Sequence, residues 1–237
     1  IICSPATDHL NKALPLARLA VPLLIEKPIG TGHERSRDWQ ELICLSKTVP
    51  IEIAYVLRHD PCAAFIIHIL NSGHLGTLIE ADLYCGTWLP EWRPGVDYRD
   101  SVSAKQALGG GVLLELSHEL DMAKFLFGDI QLESSMLRNS GLLQIDTEDH
   151  AILIGRASPN LLISIRLNFC TRPARRMVTI RGCSGELIWN LLEGTVRVIT
   201  NDSNHSQDFK SPVSSDQRYR IQSEHFLSCV IGQSMGL

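Results

Sequence analysis

The chain has 237 residues, of which 44% are hydrophobic and 20% charged, a composition typical of globular proteins with one large domain or two small ones. Its net charge of -4 lacks the excess of Lys and Arg with which nucleic-acid binders neutralise phosphates, so no nucleic-acid partner is predicted. The seven cysteines form no C-x-x-C pair and no apolar run reaches about 18 residues, so we expect no zinc site, no disulfide framework, no membrane partner and a cytoplasmic location.

The first quarter of the chain alternates short apolar runs with segments of helical periodicity. The apolar runs cover residues 1–3, 21–25 and 51–56. The order strand, helix, strand, helix, strand predicts a parallel sheet, because parallel neighbours need a crossover helix. We therefore expect residues 1–57 to be the second half of a Rossmann-type doubly wound domain. Since the chain opens at Ile1, inside an apolar run and without a methionine, we expect it to be truncated at the N-terminus and also at the C-terminus.

The pattern changes in residues 58–237, which we expect to form a second domain. A helix is predicted over residues 63–71, stopped by the turn at Ser72 and Gly73. From Thr77 onward, short β-rich runs separated by tight turns predict an open, mostly antiparallel sheet with helices on one face. One long helix, residues 112–127, interrupts these strands. The predicted fold class is α/β followed by α+β.

Several short motifs stand at the ends of these predicted elements. Ser4-Pro5 follows the first strand, and His9 comes four residues after it. Glu26-Lys27-Pro28 ends the next strand, and Arg58 follows the third. Gly109-Gly110-Gly111 opens the long helix, which carries His118 and Asp121.

The order and spacing of these motifs resemble the Gfo/Idh/MocA family of oxidoreductases. The resemblance implies NAD or NADP as cofactor and hydride transfer to or from a carbinol of a sugar, nucleotide sugar or cyclitol. It also implies a homo-oligomer formed through the second-domain sheet. The cofactor-binding residues it implies are Ser4, Pro5, His9, Glu26, Lys27 and Pro28. A non-catalytic binding or assembly module that has lost the cofactor is the alternative.

A phosphate-binding loop is missing from the sequence. Complete members of the family resembled here begin with a strand and a G-x-G-x-x-G loop, whose amides hold the pyrophosphate at a helix N-terminus. Residues 30–35 begin like that loop but lack its third glycine. We therefore expect these 237 residues to bind NAD(H) and NADP(H) weakly.

Lys27, His118 and Glu115 are the candidate catalytic residues. Oxidising a carbinol requires a base for the hydroxyl proton, and a histidine with an ordinary pKa of about 6.5 meets this need. The resemblance implies that His118 is this base and that Lys27 polarises the hydroxyl. Glu115, three residues before His118, is expected to fix the imidazole tautomer. The alternatives are a solvated charge at Lys27 and a structural histidine at His118.

The substrate-binding candidates are Trp92, Tyr98, Arg99 and Asp121. Aromatic faces and a guanidinium suit a polyhydroxylated ring. Asp121 is included because it is expected to share a helix face with His118. For the aromatic segment, the alternative is a surface loop that packs its own rings. No metal ligands are predicted, because Met122 replaces the second histidine of an H-E-x-x-H pattern that starts at His118.

Overall fold

A computed structural model of the chain describes residues 1–158, 160–202 and 205–232, and these residues form two separate sheets. The last five residues of the predicted second domain, 233–237, lie outside the described part. The small sheet is parallel and the large one has eight strands. Each sheet has its own hydrophobic core.

The small sheet belongs to the first quarter of the chain and confirms the predicted parallel order. Strand β1 (Leu23–Ile25) pairs with β2 (Ile51–Ile53), and Ile2 forms an isolated parallel bridge to Ile25. Helices α1 (Ala6–Arg18) and α2 (Ser36–Leu45) are the crossovers. The strands are shorter than predicted, because the chain turns into a 3-10 helix, Val56–His59, soon after β2.

That 3-10 helix leads into helix α3 (Pro61–Ser72), whose two ends are fixed by side-chain chemistry. Asp60 caps the N-terminus by accepting the Cys62 amide at 2.8 Å, and Pro61 occupies the first turn, where its missing N–H costs nothing. Gly73 ends the helix with a φ of 74°, a left-handed conformation that favours glycine. Asp60 also pairs with Arg218 at 3.1 Å, which ties α3 to the C-terminal helix.

The large sheet is mostly antiparallel, as predicted, with one parallel pair. Its strands are β3 (Leu78–Trp88), β4 (Gln131–Arg138), β5 (His150–Ser158), β6 (Leu161–Asn168), β7 (Cys170–Gly182), β8 (Gly185–Asn190), β9 (Thr195–Thr200) and β10 (Gln207–Lys210), in the order β10-β9-β8-β7-β3-β6-β5-β4. The central strand β3 runs parallel to β6 and antiparallel to β7.

Helices cover one face of the large sheet, and the opposite face is partly polar. The covered face carries the core, which includes the fully buried Ile163 and Trp189. β6 buries every second residue from Leu161, while Leu162 and Arg166 are exposed. On β3, β7 and β8 the open face holds an ion-pair network made by Glu80, Asp82, Arg181 and Glu186.

The predicted helix over residues 112–127 is two helices. Helix α4 (Val112–Glu115) ends at Glu115, and α5 (His118–Phe127) begins three residues later. Elements that the sequence pattern did not predict include β4, which is exposed along its whole length, and helix α6 (Ser215–Val230), which opens with a capping box between Ser214 and Gln217. In the described part of the chain, no helix has both the length and the apolar character needed to cross a bilayer.

Asp60 provides a stability test of the junction between α3 and α6. Asp60→Ala should lower the free energy of unfolding by about 1–2 kcal/mol through the lost cap, and further because Arg218 loses its partner. Asp60→Asn should keep the cap, since an amide oxygen also accepts, and lose only the ion pair. Urea denaturation of the three proteins measures this difference. Equal stability of Asp60→Ala and wild type would contradict the assigned role.

Candidate functional site

The candidate site lies where the end of β1 meets the break between α4 and α5. Glu26 and Lys27 follow β1 directly, at the carboxyl end of a parallel strand, where ligands of open α/β sheets bind. The Lys27 ammonium donates to the main-chain carbonyl of Glu115 at 2.9 Å. The Lys27–Pro28 peptide bond is cis. Lys27 therefore links the end of β1 in the small sheet to the C-terminal end of α4.

His9 holds the main chain of this site together. Its ring nitrogens lie 2.8 Å from the Pro28 carbonyl oxygen and 2.6 Å from that of Ser4, and the residue is 1% exposed. Direct contact with a cofactor, as predicted for His9, therefore does not fit this structure. Because both ring nitrogens contact main-chain carbonyls, His9 instead joins the turn before α1 to the turn after β1.

The other predicted cofactor-binding residues lie on these two turns. Pro5 is exposed and precedes α1 directly. Glu26 is half-buried, and its carboxylate accepts the Lys27 amide at 3.3 Å. The Ser4 hydroxyl is buried and has no hydrogen-bond partner among the described residues. An unsatisfied buried hydroxyl is costly, so Ser4 is suited to a polar ligand.

His118 begins α5 and is held in a neutral state. Its ring packs edge-on against Tyr55 at 5.6 Å between centroids. Burial, and to a smaller extent the positive charges of Arg176 and Lys27, lower the pKa of His118 to about 3. The expected pKa near 6.5 is therefore wrong for this environment. Lys27 is thus close enough to His118 for its positive charge to lower the pKa of the imidazole, which brings the two predicted catalytic residues into one site.

Glu115 does not orient His118 in the way predicted. His118 Nδ1 is buried without a hydrogen-bond partner among the described residues, and the contact made by Glu115 is the one from its main-chain carbonyl to Lys27. The reason is the helix break at Leu116 and Ser117, which puts Glu115 and His118 on different helices. The assumed spacing of one continuous helix therefore does not apply.

Asp121, predicted to bind substrate, is occupied by Arg58. Arg58 Nε donates to Asp121 Oδ2 at 2.9 Å and Arg58 Nη2 to Asp121 Oδ1 at 2.5 Å, a two-pronged arrangement with a carboxylate that is 6% exposed. The Arg58 guanidinium also lies 5.2 Å from the centre of the Phe125 ring. The pair docks α5 on the 3-10 helix that follows β2, so Asp121 has a positioning role.

The predicted aromatic cluster packs against itself. Trp92 donates to Thr87 Oγ1 at 2.8 Å and meets Phe169 edge-on at 5.3 Å between ring centroids. The Tyr98 hydroxyl accepts the Gln144 amide at 3.2 Å, while Arg99 is exposed and pairs with Asp97. The cavity beside Trp92 and Tyr98 holds only about 10 Å³. The alternative interpretation, a loop that packs its own rings, fits these contacts better than a substrate-binding wall.

A buried ion pair beneath α5 was missed by the sequence analysis. Arg176 on β7 donates from Nε to Glu119 Oε1 at 2.5 Å, and Glu119 is 2% exposed. The only local signal was an acidic residue directly after His118. The pair fixes α5 against the sheet and brings the second positive charge near His118.

Each glycine before α4 is required by its surroundings. A Cβ at residue 110 would lie 2.2 Å from the Val102 carbonyl oxygen, and one at residue 111 would lie 2.4 Å from the Glu148 carboxylate. Gly109 and Gly111 also have φ of 78° and 112°. Glu148 in turn accepts the Leu113 amide at 3.0 Å. The glycines thus let the chain pass closely enough for Glu148 to hold the start of α4.

The glycine-containing turn at residues 30–35 is filled by its own carboxylate. Glu34 accepts the Thr31 amide at 2.7 Å and the Gly32 amide at 2.9 Å. Burial alone raises the pKa of such a carboxyl, but these hydrogen bonds outweigh it and lower the pKa of Glu34. The amides that a phosphate would need are therefore already engaged. A neighbouring cleft of about 640 Å³ runs from this turn past Gly109 to Leu137 on the sheet edge.

The chain is similar in sequence to known dehydrogenases. The family profile described as GFO/IDH/MocA C-terminal domain matches residues 65–188, which is more than half of the chain. Inositol 2-dehydrogenase 2 of Saccharopolyspora erythraea is 23% identical over 170 residues, which make up 70% of this chain and 46% of that protein. The chain thus spans about half the length of this relative.

Solved structures of similar fold cover nearly the whole chain. Levoglucosan dehydrogenase in complex with NADH and levoglucosan superposes with a TM-score of 0.83 at 16% identity, covering 99% of this chain and 71% of that one. An inositol dehydrogenase homolog complexed with NAD+ from Azotobacter vinelandii has a TM-score of 0.77 at 10% identity and covers 98% and 69%. These likenesses establish the fold, with its Rossmann-type and open-sheet parts.

The depressed pKa of His118 predicts a dependence of stability on pH. The unfolded chain binds a proton at this residue below about pH 6.5 and the folded chain does not until about pH 3, so stability is lost as pH falls through this window. The contribution is at most about 1.4 kcal/mol for each pH unit. His118→Gln should therefore flatten the acid loss of unfolding free energy, whereas the exposed His68→Gln should not. Urea denaturation across the window checks this, and equal slopes for His118→Gln and wild type would refute it.

Proposed function

Because the chain belongs to the GFO/IDH/MocA family, we propose that it carries the proton-transfer half of an NAD(P)-dependent oxidoreductase site. The proposed reaction moves a hydride between the nicotinamide and a carbinol of a sugar, nucleotide sugar or cyclitol. The observation that carries the proposal is that the Lys27 ammonium, just after β1, donates to the Glu115 carbonyl at 2.9 Å and is close enough to His118 at the start of α5 for its charge to lower the pKa of the imidazole. The sugar-like ligands named for the two dehydrogenases described above support this substrate class.

The residues at the carboxyl edge of the small sheet fit the nicotinamide end of NAD or NADP. Ser4 and Pro5 follow the parallel bridge at Ile2, and Glu26, Lys27 and Pro28 follow the neighbouring strand β1. The Ser4 hydroxyl and His118 Nδ1 are buried polar atoms without a partner in the described part of the chain, and a bound polar ligand would satisfy both. When bound, the nicotinamide supplies the hydride acceptor or donor. We assign these edge residues, together with the positioning residue His9, to the cofactor wall.

Lys27 and His118 divide the work on the substrate hydroxyl. A cation beside the hydroxyl stabilises the negative charge that develops on oxygen as the proton leaves. His118, neutral because of its surroundings, has a free ring nitrogen lone pair and can take that proton. A low imidazole pKa makes His118 a weak base on its own, so the polarising charge of Lys27 is needed for the transfer. Glu115 contributes its main-chain carbonyl, which holds the ammonium in place.

The division into a partial Rossmann domain over residues 1–57 and a substrate domain over 58–237 is part of the proposal. It is supported by the two separate cores, one formed around Leu10 and Ile25 and the other around Ile66 and Leu83. The proposed homo-oligomer uses the open face of the large sheet, where apolar side chains such as Leu162 and Ile199 lie exposed among the ion pairs.

A non-catalytic binding or assembly module is the second candidate. The specific observation in its favour is that Glu34 fills the amides of the turn at residues 30–35, which begins like a phosphate-binding loop. Such a module would still bind a sugar-like ligand, but its Lys27 and His118 would not catalyse a reaction.

Kinetics of the protein as its gene encodes it would decide between the two. With NAD or NADP and a panel of inositols, anhydrosugars and aldoses, His118→Ala and Lys27→Ala should each lower kcat by about 100-fold to 10,000-fold. Lys27→Ala should also raise KM, since the ammonium helps to hold the ground state. Glu115→Gln should have a far smaller effect, because its contact to Lys27 is made by the main chain.

The matched controls are Lys47→Ala and His68→Ala, both exposed on helices or turns away from this site. Circular dichroism verifies folding. Near-normal kcat in a folded His118→Ala variant would remove His118 from the chemistry, and absence of turnover in wild type with every cofactor and substrate pair would favour the binding module.

The proposed assembly can be tested at the open face. Leu162 is 45% exposed on β6, so Leu162→Asp would bury a charge in any interface formed there and should shift the protein to a smaller species. Leu19→Asp, at a residue 74% exposed beyond α1, is the control. Light scattering over a wide concentration range measures the mass. A wild-type mass that stays monomeric throughout would contradict the proposed oligomer.

A further inference from the structure

Four potential metal ligands lie where β2 and the following 3-10 helix pack against α6. Glu52 comes from β2, His59 from the 3-10 helix, and His225 and Cys229 from α6. His225 and Cys229 are four residues apart, so they lie on one face of the helix. None of the four takes part in the Lys27 and His118 site. They were not recognised in the sequence, where the outermost two stand 177 residues apart.

The distances among Glu52, His225 and Cys229 are close to the edges of a zinc tetrahedron, and His59 lies beside them. With bond lengths of about 2.0–2.1 Å to nitrogen and oxygen and about 2.3 Å to sulfur, tetrahedral ligand atoms stand about 3.3–3.7 Å apart. Here Glu52 Oε1 lies 3.2 Å from His225 Nδ1 and 3.3 Å from Cys229 Sγ, and Cys229 Sγ lies 3.8 Å from His225 Nδ1. The ligand atoms of Glu52, His59 and His225 all lie within 4.8 Å of one another.

The burial and charge of the cluster favour a cation at its centre. Glu52 and Cys229 are each 9% exposed, and a carboxylate this deep needs a compensating charge. The rings of His59 and His225 are 5.1 Å apart between centroids, so two protonated imidazoles would repel each other. One divalent cation with a carboxylate, a thiolate and two neutral imidazoles gives a site of zero net charge.

We propose that Glu52, His59, His225 and Cys229 bind one Zn²⁺ ion. A thiolate and imidazoles select a borderline-soft cation over Mg²⁺ or Ca²⁺, which prefer oxygen ligands. Four protein ligands fill a tetrahedral shell, so the site is structural rather than catalytic. The ion would fasten α6 to β2 and to the 3-10 helix that carries Arg58, the partner of Asp121. The proposal is independent of the proposed hydride-transfer function.

The test uses untagged protein dialysed against a chelator and then against metal-free buffer. Titration with zinc chloride, followed by calorimetry and by metal analysis after gel filtration, should give one zinc per chain with a Kd below about 1 µM. Cobalt chloride should give the charge-transfer absorption of a thiolate-bound ion together with the visible bands of tetrahedral geometry. Zinc should also raise the unfolding temperature, because it binds the folded chain preferentially.

Ligand variants assign the binding to this cluster. Cys229→Ser and His225→Gln should each weaken zinc binding by about 100-fold or more, since each removes one of four ligands, and Cys229→Ser should lose the cobalt–thiolate absorption. Cys44→Ser and His68→Gln, which change exposed residues elsewhere, should bind zinc as wild type does. Circular dichroism of the metal-free variants checks folding, and the cobalt spectrum of wild type does not depend on any variant.

Binding weaker than about 100 µM, a stoichiometry well below one, or a cobalt spectrum without a thiolate band would each overturn the proposal. Full zinc affinity in Cys229→Ser and His225→Gln would do the same, since the ion would then sit elsewhere.

Discussion

The hydrogen bond from the Lys27 ammonium to the Glu115 carbonyl depends on a broken helix, and the candidate site is arranged around that contact. The last carbonyls of a helix have no partner within it and carry partial negative charge. Because α4 stops at Glu115 instead of continuing into α5, such a carbonyl is available to a cation arriving from the end of β1. The break therefore joins the small parallel sheet to the large one, and it sets His118 at the beginning of a new helix.

Helix α5 is then held by two ion pairs on the sides that face protein. Arg58 pairs with Asp121 and Arg176 pairs with Glu119, and both carboxylates are buried. Buried pairs of this kind gain little net stability over apolar packing, but removing one partner is costly, so they define the position of the helix. Together they hold the His118 ring in a place where burial and nearby positive charge keep it neutral. The electrostatic state of His118 is thus a consequence of how α5 is docked.

Local patterns were sufficient for the elements that bury one regular face. The helical spacing of Leu10, Ala13 and Ala17 gave α1, and the Glu26-Lys27-Pro28 triplet located the site edge. Strand β4 was missed because it is exposed throughout and shows no alternation. The helix break was missed because the residues from Val112 to Phe127 keep a helical pattern across it.

The side-chain contacts of the site could not be predicted in the same way. Arg58 and Asp121 are 63 residues apart, Arg176 and Glu119 are 57 apart, and their pairing depends on how β7 and α5 pack. The predicted pKa of His118 failed for the same reason, since it used the residue type without its burial. The aromatic segment around Trp92 shows the opposite case. Its residue types are suited to binding a sugar ring, but in the structure they pack against the protein itself.

Nuclear magnetic resonance titration of the His118 imidazole shows whether Lys27 and His118 occupy one site. His118 should stay neutral down to acid pH, because burial lowers its pKa to about 3, and Lys27→Met should raise this pKa by removing a nearby positive charge. A His118 that titrates near its ordinary value of about 6.5, with no response to Lys27→Met, would contradict the account.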